Sequence, residues 1–275
     1  MQITGHLRKM LTSLEVPVQY HLPLDEERVD MNSLIGQPIS LNFVNEIHCL
    51  ACGRKTSKSF NQGYCYPCFK KLAQCDSCII KPELCHYDQG SCREPEWGEQ
   101  HCLQDHIVYL ANSSAIKVGI TRSSQIPTRW IDQGASSALP IFRVKNRLLS
   151  GRIEVILKQH ISDRTDWRKM LRGKPETLDL ADKRDALLAI CKNEIDELMA
   201  ESAAGAVTRL ASETPVNIEF PVNHYPAKVS SFNFDKTPEI NGVLNGIKGQ
   251  YLILDSGVLN IRKFGGYRVR LQTMK

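Results

Sequence analysis

Nine of the ten cysteines in this 275-residue chain fall between Cys49 and Cys102. That density constrains the fold more than any other feature of the sequence. In an oxidising compartment it would suggest a disulfide framework, whereas in a reducing one metal ligation is the better reading. The opening MQITGHLRKM lacks the apolar stretch of a secretion signal. No apolar run approaches the ~20 residues of a membrane helix. A cytoplasmic protein with thiolate metal sites and no membrane contact is therefore expected. The tenth cysteine, Cys191, stands alone in an apolar helical pattern and reads as a buried, inert thiol.

The first module pairs Cys49-x2-Cys52 with Cys65-x2-Cys68 across twelve residues. Each CxxC knuckle aims two thiolates at one point, and two knuckles complete a tetrahedral site for Zn2+. Iron in a rubredoxin-like site is the competing reading. Gly53 and Gly63 supply the backbone freedom that such turns need. A second module opens with Cys75-x2-Cys78 and continues to Cys85 and Cys92. Those four are expected to form a second zinc site, and His86, Cys102 and His106 lie within reach as alternative closing ligands. An iron–sulfur cluster on the four cysteines is the other possibility. Neither module has the three-ligand-plus-water pattern of catalytic zinc, so both are expected to be structural.

The overall charge of +5 is unremarkable until it is divided along the chain. Residues 107–175 carry 13 Lys and Arg against 4 Asp and Glu, whereas the segments on either side are slightly acidic. A basic block of that density suits polyanions, because each cation near a phosphate releases condensed counterions. Within it, Arg143, Lys145 and Arg147 are the candidate nucleic-acid contacts. The cysteine region is itself mildly acidic, which favours a bracing role for its metals.

The pattern divides into five segments and an α+β fold. Residues 1–45 and 213–275 are β-rich, with YLILDSGVLNIR reading as a hairpin closed by Asp255-Ser256-Gly257. Faint echoes between ITGHL and INGVL, and between GQPISL and GQYLIL, suggest that the termini pair into one barrel-like unit or two related ones. Residues 46–106 form the metal-binding region, with zinc-ribbon modules, and 107–182 a small basic domain. A helix from about Lys183 to Ala203 dominates a helical linker over 183–212, with Leu187, Leu188, Cys191, Ile195, Leu198 and Met199 at helical spacing.

In the basic block, Ile107 to Ala111 and Ile116 to Thr121 read as a hairpin. SSQIPTRWIDQG reads as a short helix with a Ser cap, Pro127 near its start and Gly134 at its end. A second helix is expected from about Ser150, with Ile153, Leu157 and Ile161 on its buried stripe and Glu154 at the edge of that face.

Tyr109, then Lys117-Val118-Gly119, then Arg129-Trp130, then Glu154 on a later helix resembles the GIY-YIG nuclease superfamily, in its branches whose second element reads K-I/V-G-x-T. The likeness covers about 70 residues, and the whole chain also resembles a bacterial family of zinc-containing proteins of uncharacterised role. The superfamily resemblance implies a small α/β nuclease domain. It implies that Tyr109 activates water or positions the nucleophile, that Arg129 holds the scissile phosphate, and that Glu154 binds a single Mg2+. Such chemistry needs charge stabilised on the phosphate and a metal neutralising the leaving oxygen. One carboxylate suffices because magnesium keeps water and phosphate as its other ligands. The sequence departs from the pattern in two places. Lys117 stands where the second tyrosine belongs, and the first motif, I-V-Y, lacks its leading glycine. Lys117 and Arg122 are candidate phosphate contacts, and His160 either joins the site or caps a helix. The expected function is magnesium-dependent phosphodiester hydrolysis on DNA or RNA, with no small-molecule cofactor. A non-catalytic nucleic-acid- or ribosome-binding protein is the alternative, and a zinc-ribbon adaptor a third that leaves the basic block unexplained.

Overall fold

A computed structural model describes residues 1–273. The chain is α+β, with three antiparallel sheets among the described residues. Among the described residues no helix is long and apolar enough to cross a membrane.

The two ends of the chain meet in one seven-stranded sheet. Its first strand, Gln2–His6, pairs with its last, Tyr267–Thr273, so that Gln2 faces Gln272. Tyr267–Thr273 pairs in turn with the long strand Pro38–His48, which also receives Glu239–Lys248. The hairpin expected in YLILDSGVLNIR is formed by Tyr251–Leu254 and Gly257–Asn260, with Leu254 opposite Gly257. Its turn is therefore only Asp255-Ser256, and Gly257 opens the second strand at a φ of 154°.

The basic block builds a five-stranded sheet around the hairpin of His106–Asn112 and Ile116–Arg122, in which Tyr109 pairs with Gly119. All seven residues of His106–Asn112 are buried, because both faces of the strand are covered. Side chains alternate along a strand. Ile107, Tyr109 and Ala111 accordingly join the core shared with the terminal β-unit. Val108 and Leu110 point the other way, into a core shared with the helices.

Three local details differ from the sequence reading. SSQIPTRWIDQG splits into a 3-10 turn at Ser123–Gln125 and a short helix at Thr128–Asp132. Ile126 stays extended between them (ψ 134°), as the residue before a proline usually must. The following helix spans Arg147–Leu157 and not from Ser150, since the Asn146 carboxamide caps it by accepting from the Leu149 N–H at 2.9 Å. Ile161 lies beyond its end and His160 is exposed. The helix expected over 183–203 is two, Leu180–Ile190 and Lys192–Glu201, joined at Cys191, whose ψ of 13° breaks the run. Cys191 is fully buried, as a packing thiol should be.

Candidate functional site

The first metal centre forms where a strand ends and a helix begins. Cys49 follows Pro38–His48, and Cys65 immediately precedes the helix Tyr66–Lys71, which carries Cys68. The first knuckle closes when the Gly53 N–H donates to the Cys49 carbonyl at 2.9 Å, with Gly53 at a φ of 69° that favours a residue without Cβ. The ligand atoms of Cys49, Cys52, Cys65 and Cys68 all lie within 4.8 Å of one another, and the Cys52 and Cys65 sulfurs are 3.7 Å apart. Tetrahedral zinc with Zn–S bonds of about 2.3 Å needs sulfurs about 3.8 Å apart, so the quartet fits the ion. Burial alone would raise the Cys49 thiol. Backbone N–H groups of Cys65, Cys52 and Ala51 outweigh it and bring Cys49 down, while burial and the neighbouring thiols push Cys68 up, so Cys49 is the first of the quartet to become a thiolate. Four thiolates with no open position make a structural centre.

The second cysteine group is arranged otherwise than its spacing suggests. Cys75 is buried beside Asn61 and faces the field of Cys49, at the edge of the first centre. Cys78, Cys85 and Cys92 line a different void, and Cys102 completes it. His86 is at its margin, where Nε2 lies 3.5 Å from Asp76 Oδ2. His106 is not part of it. That ring is fully buried at the start of its strand, Nδ1 donates to the Gln104 carbonyl at 2.7 Å, and burial holds its basicity down to about 4.

A cleft of about 890 Å³ runs along the free edge of the basic-block sheet. Lys117, Gly119 and Arg122 reach it from the edge strand, Arg129 from the short helix, Gln133 from its C-cap, and Arg147 and Glu154 from the next helix. Tyr109 lies directly beneath. It is fully buried, and its hydroxyl donates to Gln133 Oε1 at 2.7 Å. Gly119 is a glycine because a Cβ there would stand 2.7 Å from the Tyr109 hydroxyl. The motif residues Tyr109, Lys117, Arg129 and Glu154, distant in sequence, thus share one place. Arg143 and Lys145 do not. They line a separate groove beside Gly205, where Lys145 pairs with Asp105 at 3.2 Å.

The cleft also draws on residues that no motif marks. Arg8 and Lys9 come from the N-terminal unit, Arg262 from the C-terminal one, and Asp163 from the loop after the Glu154 helix. Gln133 alone left a trace in the sequence, four residues after Arg129 and so on the same helix face. Lys9 is held in place by Asp132 at 2.7 Å, and Asp132 by Gln250 at 2.8 Å, which ties both chain ends to the Arg129 helix.

Cations outnumber acids here, and the electrostatics follow. Lys117 is only 4% exposed, and burial with the nearby Arg129 charge brings its ammonium down to about 8. Burial and the carboxylate of Asp163 push Glu154 up to about 7, against the pull of Lys158 and Lys117. A carboxyl pushed up by burial and by a neighbouring acid at the rim of a basic cleft is a place where a hard cation would be welcome.

Fold and site together define an α+β protein with a four-cysteine metal centre and a basic cleft. A family profile described as "Protein of unknown function (DUF2797)" matches residues 36–269, and the chain belongs to that family. No curated protein and no solved structure matches the chain.

Proposed function

We propose that this protein binds nucleic acid in the basic cleft and hydrolyses a phosphodiester bond there with magnesium, in the manner of the GIY-YIG nucleases its basic block resembles. The observation that carries this reading is the meeting of Lys117, Arg129 and Glu154 on one open cleft with the Tyr109 hydroxyl under its floor. Convergence of an acid, a phosphate-binding cation and a polar hydroxyl is what such a reaction requires.

In this reading Arg129 clamps the scissile phosphate and Arg122 and Lys117 neutralise charge that builds on it. Glu154, with Asp163 beside it, would hold the magnesium ion, which supplies a Lewis acid for the phosphate oxygens and the departing oxygen. Tyr109 positions Gln133 and Arg129 from below. The quartet at Cys49 braces one part of the cleft wall, since Asn61 and Gln62 of its loop line the cleft.

The test is direct. Purified protein with magnesium should cut at least one of a panel of labelled single-stranded, duplex and branched DNA and RNA. Glu154→Gln and Arg129→Ala should each lower the rate by about 10²–10³ while leaving the protein folded. A second reading, a non-catalytic nucleic-acid-binding protein, is favoured by Lys117 at the second tyrosine's place and by the complete burial of Tyr109. It takes over if wild-type protein cuts nothing offered and Glu154→Gln binds as tightly.

A further inference from the structure

Between Ala73 and Gln89 the chain folds into four 3-10 turns in succession and contributes no strand to any sheet. Ile80 is 81% exposed and Leu84 55%. Such a segment buries little apolar surface of its own, and a metal cross-link would stabilise it. Cys78, Cys85, Cys92 and Cys102 converge on one largely enclosed void among these turns, walled by Ala73, Ile79, Tyr87 and Trp97.

A single-ion site and a four-iron site differ in how closely they draw their thiolates together. A single tetrahedral ion draws its four thiolates to about 3.8 Å from one another, and the Cys49 quartet meets that condition. Among the described residues, the second quartet does not close within 4.8 Å, and neither do Cys85, Cys92 and Cys102 as three. In a four-iron cluster each thiolate holds a different iron, so the sulfurs stand well beyond the edge of a one-ion tetrahedron. We propose that Cys78, Cys85, Cys92 and Cys102 hold a four-iron iron–sulfur cluster, separate from the single-ion centre at Cys49.

Arg147 supplies an independent observation. Its backbone N–H donates to the Cys102 carbonyl at 2.8 Å, and its Nη2 to the Ile79 carbonyl at 2.6 Å. Its Nε is buried and has no partner. A buried orphan donor is costly, and here it belongs to a cation beside Cys78 and Cys102. Cluster-bound thiolates and sulfides are acceptors that would satisfy it, and hydrogen bonds to sulfur are a common means of tuning such clusters. The competing single-ion group is Asp76, Cys78 and His86, whose ligand atoms do lie within 4.8 Å of one another. Asp76 is already engaged, however, on Oδ2 by Arg93 Nε at 2.7 Å and on Oδ1 by the Ser77 N–H at 2.6 Å, which leaves that group short of ligands for one ion.

The cluster would brace the cleft. Gly151, on the Glu154 helix, packs so closely on the Pro82–Leu84 turn that a Cβ there would stand 2.5 Å from the Glu83 N. Losing the cluster would free that turn and with it one support of Glu154.

The experiment is metal and acid-labile sulfide analysis of the full chain, purified without oxygen and reconstituted with ferrous iron and sulfide. The expected result is a brown protein with about four iron and about four sulfide per chain, whose visible absorbance bleaches with dithionite. Cys92→Ser and Cys102→Ser should lose the iron and sulfide and keep the Cys49-site metal, whereas Cys75→Ser and His86→Ala should keep all three. A colourless wild type after reconstitution, or a second zinc released by His86→Ala, overturns the proposal. The wild-type analysis decides it even if a cysteine variant fails to fold, and neither arm depends on whether the cleft cuts nucleic acid.

Discussion

Replacing Glu154 by glutamine should make the protein more stable at pH 8 and leave its stability unchanged at pH 4.5. The carboxyl titrates near 4.5 when free and is pushed up to about 7 in the fold, chiefly by burial and by Asp163. Between those values the native state holds a proton that the unfolded chain has lost, so stability falls as pH rises from about 4.5 to about 7. At 1.36 kcal/mol per pH unit the full effect is about 3 kcal/mol. Solvent at this half-buried group screens it to about 1–2 kcal/mol. Lys117 does not blur the window, because its ammonium, brought down to about 8, is charged throughout it. For a chain of this size the gain corresponds to a rise in Tm of about 3–6 °C. Thermal denaturation of both proteins at pH 4.5, 6 and 8, in a chelator, measures it. Magnesium added at pH 8 should then close the gap by stabilising wild type alone. A gain independent of pH, or a loss at pH 8, would refute the reasoning and mark Glu154 as a structural acid that pairs with Lys117.

Three further outcomes follow. Elemental analysis should find one zinc per chain at the Cys49 quartet, lost in Cys52→Ser, and its removal should unfold the loop that carries Phe60 and lower Tm by several degrees. Reversing Arg8 and Arg122 to glutamate should weaken nucleic-acid binding and lower the slope of log K against log salt by about 1 per cleft cation removed. Reversing Arg143 and Lys145, which line the other groove, should change that slope little, and an equal loss from both pairs would move the contact surface. Gly119→Ala should cost about 1–3 kcal/mol in denaturant unfolding, since its methyl group would meet the buried Tyr109 ring.

What the sequence determined by itself is whatever short-range geometry governs. CxxC places two thiolates within one turn, so Cys49, Cys52, Cys65 and Cys68 could be assigned without knowing the fold. Period-two and 3.6-residue patterns likewise disclosed the Tyr109–Gly119 hairpin and set Glu154 beside Ile153 on the flank of a buried stripe. The hairpin also explains the glycine of the second motif, because Tyr109 and Gly119 are direct cross-strand partners. Only the tertiary structure decided which cysteines belong together next. Cys75 and Cys78 form a knuckle by spacing, yet the 3-10 turns between Ala73 and Ile79 send one thiol toward Cys49 and the other toward Cys102. The cleft was equally hidden. Arg8 and Arg262 lie more than 250 residues apart, and what brings them to Arg129 is the pairing of the first strand with the last. Charge counted along the chain singled out residues 107–175, but Arg143 and Lys145 proved to stand on another groove. Local hydrogen bonding fixes a turn wherever it occurs. Which side chains of distant segments share a cavity depends on sheet order and register, and no window of sequence contains those.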